Sequence, residues 1–200
     1  GDDGASRAAA KPGCHASTLP AATQAIDFLL WPSHALLMHL HTLLWFGLLL
    51  AAVAALFQRF LPRAPANLAL ALYAWDDARG MVLSWVANRH ALICSVFGAL
   101  TLIVHDKWRR EAWSAGVWLG PTLLGLSLLS SEMGLATTAF LLGYALFMDQ
   151  GTLAKRLSRL APYAGIALVW QLGYSAAGFG AVGSGAYLHP LHEPLAYGRA

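Results

Sequence analysis

The run Leu43-Leu44-Trp45-Phe46-Gly47-Leu48-Leu49-Leu50-Ala51-Ala52-Val53-Ala54-Ala55-Leu56-Phe57 decides the fold, because it holds no charged, amide or hydroxyl side chain. Extended back to residue 35 and wound as a helix at about 1.5 Å per residue, it matches a hydrocarbon core roughly 30 Å thick. The whole chain has the same character. Of its 200 residues 58% are hydrophobic and 12% charged, whereas a soluble domain carries about a quarter charged residues. The sequence therefore predicts an all-α, polytopic transmembrane helix bundle.

Working outward from that run, Gln58, Arg59, Pro62, Arg63 and Pro65 make a turn, and a second apolar stretch covers 66–76. Further spans are expected at 91–104, 113–129, 133–148 and 160–176, about six in all, with Ser130-Ser131-Glu132 as the apex of the hairpin between the fourth and fifth. Before the first span, residues 1–24 are rich in Ala, Gly, Ser and Pro and read as a polar arm. Residues 23–31 suit a short interfacial helix ended by Pro32, with Asp27 on its polar side. After the membrane core, taken as 25–177, the Gly- and Pro-bearing residues 178–200 read as a loop. The chain starts at Gly1 without a signal segment and is expected to be a piece of something longer. Cys14 and Cys94 lie in a polar arm and an apolar run, so neither a disulfide framework nor a Cys-based metal site is expected.

Orientation follows from the basic residues, which collect in cytoplasmic loops. The turns at 58–65, 105–112 and 149–159 hold eight of the thirteen, Arg59, Arg63, Lys107, Arg109, Arg110, Lys155, Arg156 and Arg159, against Asp106, Glu111 and Asp149, a balance of +5. The other side balances at −2. Both ends of this segment, the Asp76 stretch and the Glu132 apex are thus expected outside the cytoplasm. The pI near 9.1 is explained by this partition, and no nucleic-acid partner is expected.

On that topology the ionisable residues near the spans gather on the outer side, where one polar cavity would hold them. Such groups cost about 2.5–3.5 kcal/mol each at membrane depth and are usually paired or functional. Asp76 and Asp77 face different ways, so one of them can act as a general base or a hard-oxygen metal ligand, or both can simply cap a helix in water. Asp76 and Arg79 have pairing distance along a helix. Arg89, with His90 beside it, can bind a phosphate bidentately, or can snorkel or pair with Asp76 or Asp77. Glu132 has little loop to carry it off the membrane. His34 and His41 share a helix face with Met38 and Trp45, and His39 points elsewhere; the i, i+4 pairing of a helical metal site is absent and no metal is assigned. Gly116 and Gly120 have small-xxx-small spacing, which is commonly helix packing. Phosphate-loop, dinucleotide, serine-elbow and zinc-helix motifs are all missing.

Three short stretches carry a resemblance. Ile26-Asp27-Phe28-Leu29-Leu30-Trp31-Pro32 followed by Leu37-Met38-His39-Leu40-His41, then Trp85-Val86-Ala87-Asn88-Arg89-His90-Ala91-Leu92, then Leu128-Leu129-Ser130-Ser131-Glu132, are similar to segments of polytopic C-type glycosyltransferases. They resemble in particular the bacterial relatives of tetratricopeptide-bearing O-mannosyltransferases. Where those relatives carry H-P-x-x-T-E this chain has Asp76-Asp77-Ala78-Arg79-Gly80-Met81, and Ser131 stands where they have lysine. The resemblance implies sugar transfer from a polyprenyl-phosphate donor on the non-cytoplasmic face of a bacterial inner membrane. It casts Asp76, Asp77 and Glu132 as catalytic candidates and Asp27, His39, Arg79, Arg89 and His90 as substrate-binding ones. No cofactor beyond a possible divalent cation is implied, and the partners are membrane lipid and the lipid-linked sugar. The alternative is a non-catalytic transporter or lipid-binding membrane module.

Overall fold

The computed structural model describes residues 18–76, 85 and 88–179, and every regular element among them is helical. In chain order these are α1 (Thr18–Leu30), α2 (Ala35–Phe60), α3 (Arg63–Trp75), α4 (Arg89–Glu111), α5 (Gly116–Ser130), a 3-10 turn (Glu132–Gly134), α6 (Leu135–Phe147), α7 (Leu153–Ser158) and α8 (Ala161–Ala176). The all-α expectation holds. The polar arm expected at 1–24 is shorter, because α1 already begins at Thr18.

Proline sets several boundaries. Pro62 pushes Leu61 into extended backbone, and α2 closes there with the Leu61 N–H on the Phe57 carbonyl at 2.8 Å. α1 ends at Leu30, two residues before Pro32, which cannot continue it. At the end of α4, Ala112 takes up a left-handed conformation (φ 53°) and turns the chain towards α5.

Helix α4 is the centre, packed on α2 along one side and on α5 along the other. One apolar cluster, Leu49, Val53, Leu92 and Val96, joins α2 to α4, with Leu70 and Tyr73 of α3 against it. A second, Leu124, Leu128, Leu141 and Tyr163, joins α5, α6 and α8. Close approach uses the two glycines read as a packing pair: a Cβ on Gly120 would run into the Tyr163 hydroxyl, and one on Gly116 would lie 2.6 Å from Trp108 Cβ. Their spacing serves contacts within the chain.

Two helices, α2 and α4, are long and apolar enough to cross a membrane. Their surroundings differ: 56% of the most apolar stretch of α4 is buried, but only 22% of that of α2. The other four expected spans are helices of 13, 15, 13 and 16 residues, below the ~20 that reach across a bilayer. Large apolar side chains stand uncovered on them, led by Trp75 (91%), Phe147 (85%) and Trp118 (78%).

Candidate functional site

Asp27, on α1, is 1% exposed rather than on a polar face. It is enclosed because, after the Trp31–His34 turn reverses the chain, α1 packs on α4 and α5. This brings Asp27 and His41, fourteen positions apart, into contact: Nδ1 of His41 lies 2.6 Å from Asp27 Oδ1. Arg89, in the first turn of α4 and fully buried, places Nη1 2.6 Å from Asp27 Oδ2. That second contact is an ion contact whose angles fall outside hydrogen-bond range, so Oδ2 accepts no hydrogen bond from a described residue.

The rest of the guanidinium is also engaged. Its Nε and Nη2 donate to Thr42 Oγ1 at 3.2 and 3.1 Å, and Nη2 donates to the Met38 carbonyl at 2.9 Å. The histidine tautomer follows from a neighbour. Trp45 Nε1–H, which can only donate, reaches His41 Nε2 at 3.1 Å, so Nε2 is the acceptor and Nδ1 carries the proton given to Asp27. Arg89 Nη1 and His41 Nδ1, 3.2 Å apart, are then both donors, and their approach reflects shared attraction to the carboxylate. Six residues from three helices thus form one knot, with Asp27, Thr42 and Arg89 buried at its centre, that ties α1, α2 and α4 together.

Beside the knot, a shallow groove of about 400 Å³ lies between Trp31, in the turn after α1, and the Leu37, Leu40, His41 and Leu44 face of α2. His41 is its polar wall. The buried Trp31 Nε1–H, at the same groove, has no hydrogen-bond partner among the described residues.

The predicted site residues fall in different places. Asp27 and Arg89 come together, and they engage each other, which corrects two expectations: Asp27 is not on a solvated face, and Arg89 has no surface open to a substrate phosphate. His39 is exposed and His34 caps α2 in the open, so of the three histidines only His41 joins the knot. His90 is half-buried and Glu132 exposed. Cys94, five positions after Arg89, meets Ser127 Oγ at 3.3 Å and the Ser131 carbonyl at 3.8 Å, so the apex bearing Glu132 lies at the Arg89 end of α4. Asp76 is exposed at the end of α3; Tyr73, one turn earlier, packs on the Leu49–Val96 cluster, which carries that helix only part-way to Arg89. Asp77 and Arg79 lie outside the described residues. Among the described residues no group of three or more His, Cys, Asp or Glu is placed to hold a metal ion.

The sequence sets His41 and Trp45 on one face, four residues apart, without marking either as part of the site, and it gives no sign of Thr42. No local signal marks Thr42, since what selects it is Arg89 arriving from 47 positions away.

The opposite ends of α2 and α4 carry a second ionic cluster. Asp106 accepts from Arg59, Arg110 and the Tyr144 hydroxyl, and Arg59 also reaches Glu111 at 2.6 Å. Asp149, after α6, is held by Arg109 and Arg159 at 3.1 Å each. Burial opposes its ionisation, but the hydrogen bonds from Arg109, the Gln150 N–H and Arg159 outweigh that and hold its carboxyl below its ordinary value.

No family model, curated protein or solved structure matches the chain.

Proposed function

We propose that the chain is the membrane-embedded part of a protein that handles a polyprenyl-phosphate-linked sugar at its Arg89 end, and transfers that sugar to an acceptor on the non-cytoplasmic face. Membrane residence is supported by α2, whose apolar length is mostly uncovered by the rest of the fold. Exposed apolar surface on that scale is foreign to soluble monomers and suits lipid contact. The six-span bundle belongs to the same reading, with the shorter helices accommodated by local thinning of the bilayer and by snorkelling of the residues at their ends.

The observation that carries the functional site is His41, oriented by Asp27 at 2.6 Å and opening on the apolar groove between Trp31 and α2. A polyprenyl chain suits the Leu37–Leu40–Leu44 wall, and an imidazole held by a carboxylate is a general-base arrangement for an acceptor hydroxyl. In this reading Trp45 yields His41 Nε2 to the hydroxyl. Asp77 and Glu132 remain the acidic candidates, and Arg89 serves as the strut that fixes Asp27. A divalent cation, if used, would fall to these carboxylates.

The test is sugar transfer from a polyprenyl-phosphate donor by the full-length protein in membranes. Replacing a general base costs about 10²-fold or more, so His41→Gln and Asp77→Asn should each lower transfer on that scale, with Lys107→Gln as control. Wild-type rates in both variants reject sugar transfer at this end. Arg89 being wholly enclosed favours a second reading, a lipid-binding module without chemistry; donor binding with no transfer by the wild-type protein would select it.

A further inference from the structure

The second ionic end holds a site of its own. Between α2, α4 and α6 runs an apolar groove of about 370 Å³, walled by Phe57, Phe60, Leu102, Phe140 and Gly143. It shares Tyr144 and Met148 with a cleft of about 600 Å³ that is lined by Arg109, Arg110 and Arg159. Groove and cleft are therefore one continuous surface, apolar along the helices and cationic at their ends. Arg110 joins them, its guanidinium 5.3 Å from the centre of the Phe60 ring.

The charge here is in excess. Asp106 and Asp149 neutralise part of it, yet the three turns at this end still sum to +5. Arg110 is 48% exposed and Arg159 29%, so both can face a ligand while bound to their carboxylates. Along α6 the groove extends from Ala139 to Met148, about 13 Å at helical rise, the length of much of one acyl chain. A guanidinium fork matches phosphate oxygens in geometry and charge.

We propose that this surface binds an anionic phospholipid, acyl chain in the Phe57–Phe140 groove and phosphate between Arg110 and Arg159. Basic pockets between membrane helices on the basic-loop side are suited to such headgroups. The site rests on the membrane residence argued above, and is independent of sugar transfer at the other end.

The full chain is reconstituted in nanodiscs of equal parts phosphatidylglycerol and phosphatidylcholine, and the lipids retained after detergent extraction are counted by native mass spectrometry. Wild type should retain phosphatidylglycerol preferentially, and Arg110→Gln with Arg159→Gln should reduce that preference about thirtyfold, from roughly one charge-equivalent of attraction per guanidinium. An added Cβ at Gly143 meets nothing within 4 Å, so Gly143→Leu should fill the groove without disturbing the backbone and lower the phosphatidylglycerol count even if the arginine variant fails to fold. Equal retention of the two lipids by wild type overturns the proposal. So does full displacement of phosphatidylglycerol by inorganic phosphate, which would make this a site for a soluble anion. A chain that fails to enter nanodiscs at all instead defeats membrane residence.

Discussion

Asp27 and Arg89 show how two costly residues become affordable together. Each alone would be a charge without water, and their 2.6 Å contact, with Thr42 and the Met38 carbonyl on the guanidinium and His41 on Asp27 Oδ1, replaces part of the lost solvent. Removing one partner leaves the other buried and uncompensated, at about 3–5 kcal/mol. Arg89→Met should therefore lower the thermal midpoint of the full chain in detergent sharply, and the double change Asp27→Leu with Arg89→Met should recover most of the loss. A single variant that melts like wild type would mean the pair is not holding these helices. The sequence reading identified both residues as unusual and could not pair them, because 62 positions of chain separate them and neither has a local partner.

Among the elements, the junction of α4 with the α6–α7 connection depends on Asp149, which sits in a loop outside the apolar helices. Its carboxyl is held below the ordinary aspartate value of about 3.9. A depressed folded-state value means that this anchor is fully present above the unfolded-state value and is lost as pH falls through the folded one. Asp149→Asn should thus reduce stability at neutral pH, and the gap from wild type should close on acidification below pH 4. A gap that persists unchanged at acid pH would show that hydrogen bonding, not charge, holds the loop. Element existence was legible here: apolar runs and prolines predict α2, α3, α5 and α6 to within about three residues at each end. The turn between α2 and α3 was less legible, since the turn expected at 58–65 includes Arg59, Phe60 and Arg63, whereas the helices run on through them to meet at Leu61-Pro62.

Across the whole molecule, the two ends differ in kind. One gathers Asp27, His41, Arg89 and the Glu132 apex; the other gathers Arg59, Asp106, Arg109, Arg110, Glu111, Asp149 and Arg159. If the basic end faces the cytoplasm, then in a Cys14→Ser background Glu132→Cys should react with an impermeant thiol reagent added outside intact cells and Lys155→Cys only after lysis. Cys94 is buried and should stay silent in both. The reverse pattern would invert the topology, and with it the face on which sugar transfer is proposed. The sequence by itself determined the helical class, the apolar surface of α2 and the sorting of charge to one side or the other, because those depend on composition and on periods of a few residues. Only the tertiary structure decided which charges touch. Arg89 pairs with Asp27, 62 positions away, because the turn after α1 and the packing of α1 on α4 close a dry space around them, and a buried guanidinium takes a carboxylate that the fold encloses with it.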